Sequence, residues 1–96
     1  MAMIKPEKIN VVKEYLTRHF LNYAIEDRYD YSIDAQVFKL TKFTTRYMTK
    51  VSEDFFSDKS VKEVKEGLDE NEFADVIREN EFPVLLTGRG IKVLKD

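Results

Sequence analysis

Near the start of the chain the apolar residues Ile9, Val12, Leu16, Phe20 and Tyr23 recur at three- and four-residue steps. Side chains so spaced share one face of an α-helix, and Pro6 suits a first helical position, where its missing N–H has no partner to lose. The pattern predicts a helix from about Pro6 to Asn22. The period then changes to two: Ile25, Tyr29, Tyr31 and Ile33 alternate with Glu26, Arg28, Asp30 and Ser32, which reads as a half-buried strand. Asp27 falls on the apolar parity, which this register accommodates only near the strand's open start. Asp34-Ala35-Gln36 can turn the chain, and Val37–Phe43 and Arg46–Ser52 are rich in β-formers on either side of Thr44-Thr45. A three-stranded meander is expected.

The second half predicts two short helices and a hairpin. In Ser60-Val61-Lys62-Glu63 the serine hydroxyl can accept the N–H three residues on while Glu63 reaches back, a capping box. Val61, Val64 and Leu68 follow as a short apolar face, with Gly67 placed to take the left-handed conformation that ends a helix. Asp69-Glu70-Asn71-Glu72 repeats the cap logic before a helix with Phe73, Val76 and Ile77 inward. Val51–Asp58 fits either a longer third strand or an early helix start. Phe82–Thr87 and Ile91–Leu94 flank Gly88-Arg89-Gly90, a β-hairpin that should join the sheet because its apolar residues are too many to leave in water. Arg89 should stand exposed at the turn. The predicted order is α-β-β-β-α-α-β-β, an α+β fold with an antiparallel sheet and the helices packed on one face.

The chain has 96 residues, enough for one core and too few for two, so residues 1–96 are expected to form a single domain. Hydrophobic residues at 43% support a folded core, and only three Gly and two Pro argue against disorder. The lack of cysteine removes disulfides, thiolate nucleophiles and Cys-based zinc sites together and fits a reducing compartment. With no apolar run resembling a signal peptide or membrane span, a soluble, cytoplasmic protein without membrane contact is expected. Met1-Ala2-Met3 reads as an extension before a start at Met3.

Net charge is −2, with no global attraction to nucleic acid, yet the charges are segregated. Lys39, Lys42, Arg46 and Lys50 lie in a stretch without an acid, whereas Glu66–Glu81 sets seven acids against Arg78.

The chemical inventory is thin. His19 is the sole imidazole and flanks the buried helix stripe, which reads as a helix-edge residue in preference to a general base. Asp69-Glu70-Asn71 opens like a calcium loop, but Phe73 and Ala74 stand where that loop needs an oxygen ligand and a glycine. Gly88-Arg89-Gly90 opens like a dinucleotide fingerprint, but Val93 occupies the third glycine position and a strand follows. No enzyme, metal or cofactor is expected from these residues.

The order helix, three antiparallel strands, helix over Pro6–Leu68 resembles the double-stranded-RNA-binding domain. Where that family carries a lysine cluster at the start of its last helix, Ser60-Val61-Lys62-Glu63 mixes signs, and two strands follow. The resemblance therefore implies topology and not RNA binding. Ser60–Asp96, with two short helices leading into a Gly-Arg-Gly hairpin, resembles the helix-turn-helix and wing of winged-helix regulators. There the second helix enters the major groove. Here it carries Glu72, Asp75 and Glu79 with Arg78 as its only base, a surface that phosphates repel, so this resemblance implies a protein ligand.

The leading expectation is a non-enzymatic interaction or regulatory module acting through a protein partner or self-association, with Tyr15, Tyr47, Phe55 and Phe56 partly exposed as contact anchors. The alternative is a nucleic-acid-binding domain that uses the basic meander, with Lys39, Lys42, Arg46, Lys50 and Arg89 on phosphates. Phe38, Phe43 and Tyr47 interleave with these charges, but in register Phe38 and Leu40 share one face and Lys39 and Thr41 the other, so the aromatic residues read as core in preference to stacking, and Lys39 can answer Glu26 or Asp30 across the strands.

Overall fold

A computed structural model describes residues 4–57 and 59–94 of the chain. The Met1-Ala2-Met3 reading lies outside the described residues, as does Asp58. The elements in chain order are α1 (Pro6–His19), β1 (Ala24–Asp30), β2 (Ala35–Lys42), β3 (Thr45–Ser52), α2 (Glu53–Phe56), α3 (Val61–Glu70), α4 (Phe73–Glu79), β4 (Val84–Thr87) and β5 (Gly90–Val93). The predicted α+β order is present, with the one-turn α2 ahead of the two predicted short helices. Val51–Asp58 thus holds both a strand end and a helix start.

The α1 stripe buries Val11, Val12, Tyr15 and Leu16. The helix stops at His19, short of Asn22, and the chain reverses through Asn22 at φ 68°. Phe20 and Tyr23 nevertheless continue the apolar stripe outside the helix, meeting edge to face with centroids 5.6 Å apart. β1 is also shorter than its alternation suggests. The Asp30 carboxylate accepts the Ser32 backbone N–H at 3.0 Å and the Ser32 hydroxyl at 2.6 Å, a local turn that outcompetes the ladder. Tyr31 and Ile33, predicted as inward strand residues, therefore lie in the turn, 62% and 44% exposed. Asp27 sits mid-strand instead of at an open start. Lys13 of α1 reaches its carboxylate at 2.9 Å and the Gln36 amide donates to it at 2.7 Å, so a charge on the helix side of the sheet is answered where it stands.

The five strands pair in sequence order, β1-β2-β3-β4-β5. β1–β2, β2–β3 and β4–β5 are antiparallel, but β3 and β4 run parallel through Thr49/Val84, Lys50/Leu85 and Val51/Leu86. The expectation of an antiparallel sheet is corrected at this one junction. A parallel neighbour needs a long crossover, and the α2–α4 segment supplies it.

One core unites Val12, Leu16 and Phe20 with Phe38, Leu40 and Val51, with Phe55, Phe56, Val64, Leu68, Phe73 and Ile77 from the later helices, and with Val84 and Leu86. The helices therefore share one face of the sheet. The C-terminal hairpin contributes the buried Val84 and Leu86, so it belongs to the sheet and does not project as a wing.

Both bonds of the α3 capping box are made, Glu63 N–H to Ser60 Oγ at 3.2 Å and Ser60 N–H to Glu63 Oε1 at 2.9 Å. Gly67 does not end this helix. It lies buried within α3, where an added Cβ would come 2.8 Å from Phe55 Cζ. Its small size serves the close approach of that ring. The left-handed residue is Glu72 (φ 50°), which starts α4 without a side-chain cap, while Asn71 turns back to donate to the Gly67 carbonyl at 2.7 Å.

Candidate functional site

Strand register divides the meander residues between two faces. Opposite partners Ile25/Leu40, Asp27/Phe38, Leu40/Tyr47 and Phe38/Thr49 look toward the helices. Glu26/Lys39/Met48, Arg28/Val37/Lys50, Thr41/Arg46 and Leu85/Lys92 occupy the other face. Ala35 and Val37 on that second face are buried yet lie outside the main core cluster. The open face thus gathers Arg28, Lys39, Arg46, Lys50 and Lys92 around Val37, Met48 and Leu85, and among the described strand residues its acids are Glu26 and Asp30.

Three of the predicted phosphate contacts, Lys39, Arg46 and Lys50, are brought together there. Lys42 is not; its parity turns it to the helix side, where its Nζ lies 5.7 Å from the Tyr23 ring centroid. Arg89 is exposed as expected, in the β4–β5 turn. That turn lies at the opposite end of the sheet from the β2–β3 hairpin, because β4 runs parallel to β3. Lys39 does stand directly opposite Glu26. The acids of Glu66–Glu81 are all exposed along α3, α4 and the segment after it, on the side of the sheet away from the basic face.

Three of the four predicted contact anchors are core residues. Tyr15 is 3% exposed, and its hydroxyl accepts the Ala74 N–H at 3.0 Å; burial pushes its phenol up. The stripe of α1 is wider than the predicted set because α4 packs over it. Phe55 and Phe56 are each 2% exposed, since the single turn of α2 folds both rings inward against each other, with Phe55 over Gly67. Tyr47 alone is partly exposed, packed against Phe20 and Tyr23.

Phe43, one of the aromatic residues interleaved with the basic segment, is not among the predicted contact anchors. The run of β-formers predicts it at a strand end, but β2 closes at Lys42, and Phe43-Thr44 form the two-residue turn to Thr45. Its ring is 97% exposed and its backbone adopts φ 54°. A two-residue hairpin turn favours glycine, asparagine or aspartate at positive φ, and a bulky aromatic there is strained as well as wet. The available signal was the break in alternation at Lys42-Phe43-Thr44. At the same end of the sheet Leu21 is 67% and Phe82 43% exposed. Between β3 and the α4–β4 connection a hollow of ≈ 580 Å³ opens beside this end, lined among others by Arg46, Tyr47, Met48, Arg78, Glu79 and Phe82.

His19 lies on the exposed edge of α1 with its ring 4.3 Å from that of Tyr15, and its backbone carbonyl accepts the Arg78 guanidinium. Among the described residues no cluster of three or more His, Asp or Glu side chains is arranged to hold a metal. Nor is any helix there long and apolar enough to cross a membrane. Comparison with protein-family models, curated proteins and solved structures returns no match for this chain.

Proposed function

We propose that this chain is a non-enzymatic interaction module that docks an acidic protein segment on its open sheet face, with Phe43 as the apolar anchor at the hairpin tip. The observation that carries the reading is Phe43, a phenylalanine 97% exposed at a positive φ. Such a residue costs the isolated fold both strain and apolar exposure, and a partner's pocket offsets the second. The class of partner follows from charge. Lys39, Arg46, Lys50 and Lys92 surround the exposed Met48 and the half-buried Leu85 and favour a ligand of negative sign, while the acids along α3 and α4 on the far side disfavour it there.

Nucleic acid is less well served by the same face. Its strand positions hold no aromatic ring for base stacking, since Phe38 and Tyr47 look toward the core. Affinity capture from native lysate tests the proposal with the unsubstituted chain, Phe43→Ser and the double variant Lys39→Glu/Lys50→Glu in parallel. A protein retained by the first and lost from both others supports it. Retention indifferent to both substitutions refutes it. Steeply salt-dependent binding of short nucleic-acid probes, abolished by Lys39→Glu/Lys50→Glu and unaffected by Phe43→Ser, would transfer the face to the nucleic-acid reading.

A further inference from the structure

We infer that the outer edge of β1 pairs with β1 of a second copy of this chain, antiparallel and centred on Asp27, to join two five-stranded sheets into one. β1 lies at the end of the strand order and bonds only to β2; among the described residues no strand covers its other side. Along the seven residues Ala24–Asp30 the backbone N–H and C=O groups of alternate residues therefore point away from β2 with no strand partner among the described residues, a template for another strand.

A two-fold pair must be complementary to itself, residue for residue about the axis. With the axis at Asp27, Ala24 meets Asp30, Ile25 meets Tyr29 and Glu26 meets Arg28, each twice. All these partners share parity, so N–H and C=O groups that point outward on one strand meet outward groups on the other. On the open face the register makes two Glu26–Arg28 pairs. On the helix side it makes two pairs of Ile25 with Tyr29, side chains that already pack against the core. Neighbouring registers of the same parity fail. An axis at Glu26 sets that residue against itself, and an axis at Arg28 sets arginine on arginine and Glu26 on Asp30.

Asp27 meets its own copy across the axis. An inward charge on an edge strand ordinarily keeps other strands away. Here each carboxylate arrives bridged to Lys13 at 2.9 Å and to the Gln36 amide at 2.7 Å, so the axis is flanked by offset charge pairs. Glu26 and Arg28 border the open face of the docking proposal, but Phe43 and Lys50 take no part in the pairing, so Phe43→Ser separates the two.

A strand edge of this length buries less than the ~1,000 Å² of a stable interface, so the dimer is expected at high micromolar concentration. Sedimentation of the purified chain from about 10 μM to 1 mM should show it. Glu26→Arg and Arg28→Glu should each weaken association about tenfold by turning two attractions into repulsions, and the exchanged variant Glu26→Arg/Arg28→Glu should restore it. Amide exchange on the unsubstituted chain gives a readout that needs no variant. Protection across Ala24–Asp30 should rise with concentration while β5, the opposite edge, stays unchanged. A chain still monomeric at ~1 mM overturns the inference, as does association indifferent to the single reversals, an exchanged variant that stays dissociated, or concentration-dependent protection at β5 in place of β1. Should the single variants lose their fold, the exchange pattern decides alone.

Discussion

Replacing Phe43 should move stability and binding in opposite directions, and the size of each effect can be worked from its surroundings. A side chain 97% exposed buries almost nothing, so its removal forfeits no hydrophobic stabilisation at the usual ~25 cal/mol per Å². The backbone at φ 54° costs a residue with a Cβ about 1–2 kcal/mol, a penalty glycine escapes. Glycine returns roughly 0.5–1 kcal/mol of this through its freer unfolded chain. Phe43→Gly should therefore stabilise the protein by about 0.5–1 kcal/mol, a rise of several degrees in Tm at this size. Phe43→Ala keeps the strain and should change stability by less than about 0.5 kcal/mol. Both variants should lose the partner. Urea and thermal unfolding followed by circular dichroism, run beside the capture assay, measure all three quantities. The reasoning is refuted if Phe43→Ala costs more than about 1 kcal/mol, since the ring would then be packed, or if Gly is no more stable than Ala.

Gly67→Ala should destabilise by up to about 2 kcal/mol, because the new Cβ would stand 2.8 Å from the buried Phe55 ring and the overpacking outweighs the ~1 kcal/mol gain in helix propensity; a stabilised variant in urea would contradict that close approach. Ser60→Ala removes the hydroxyl that accepts the Glu63 N–H and should cost about 1 kcal/mol by the same assay. The Tyr29 phenol is pushed up to about 12 by desolvation and then by its hydrogen bond to Glu53 at 2.9 Å. Its neutral form is thus favoured in the fold, so its contribution is intact below pH 10 and lost as pH rises through about 12, and Tyr29→Phe should flatten that alkaline loss in a pH series of urea midpoints. Asp54 is held below its ordinary 3.8 by the Ser52 hydroxyl, against partial desolvation, and further by the Gly88 N–H. Its contribution is present above 3.8 and fades as pH falls through the lowered value, so Asp54→Asn should make the acid limb shallower.

Legibility from sequence followed the range of the forces involved. The stripe of α1, the alternation of β1 and the capping box at Ser60 depend on neighbours within a few residues, and each element is present, although α1 and β1 end before their patterns do. Phe38 and Lys39 also take the opposite faces their parity predicts, since successive residues in any strand must. Element ends were less legible. Asp30 and Ser32 form a local turn that the alternation of Tyr31 and Ile33 conceals, and Gly67, placed by its local sequence to end a helix, is small because a ring from another helix approaches it.

The order of elements and the segregation of charge were thus written in the chain itself, because both follow from period and composition. Tertiary structure alone decided the parallel junction of β3 and β4, which needs the whole α2–α4 crossover to bring Val84 beside Thr49. It also decided which aromatics meet water. Tyr15, Phe55 and Phe56 are buried by contacts with residues distant in sequence, whereas Phe43, among strong β-formers, is left outside by the tightness of a two-residue turn. Exposure belongs to the packed molecule and not to the residue type, since it depends on what the rest of the chain places alongside.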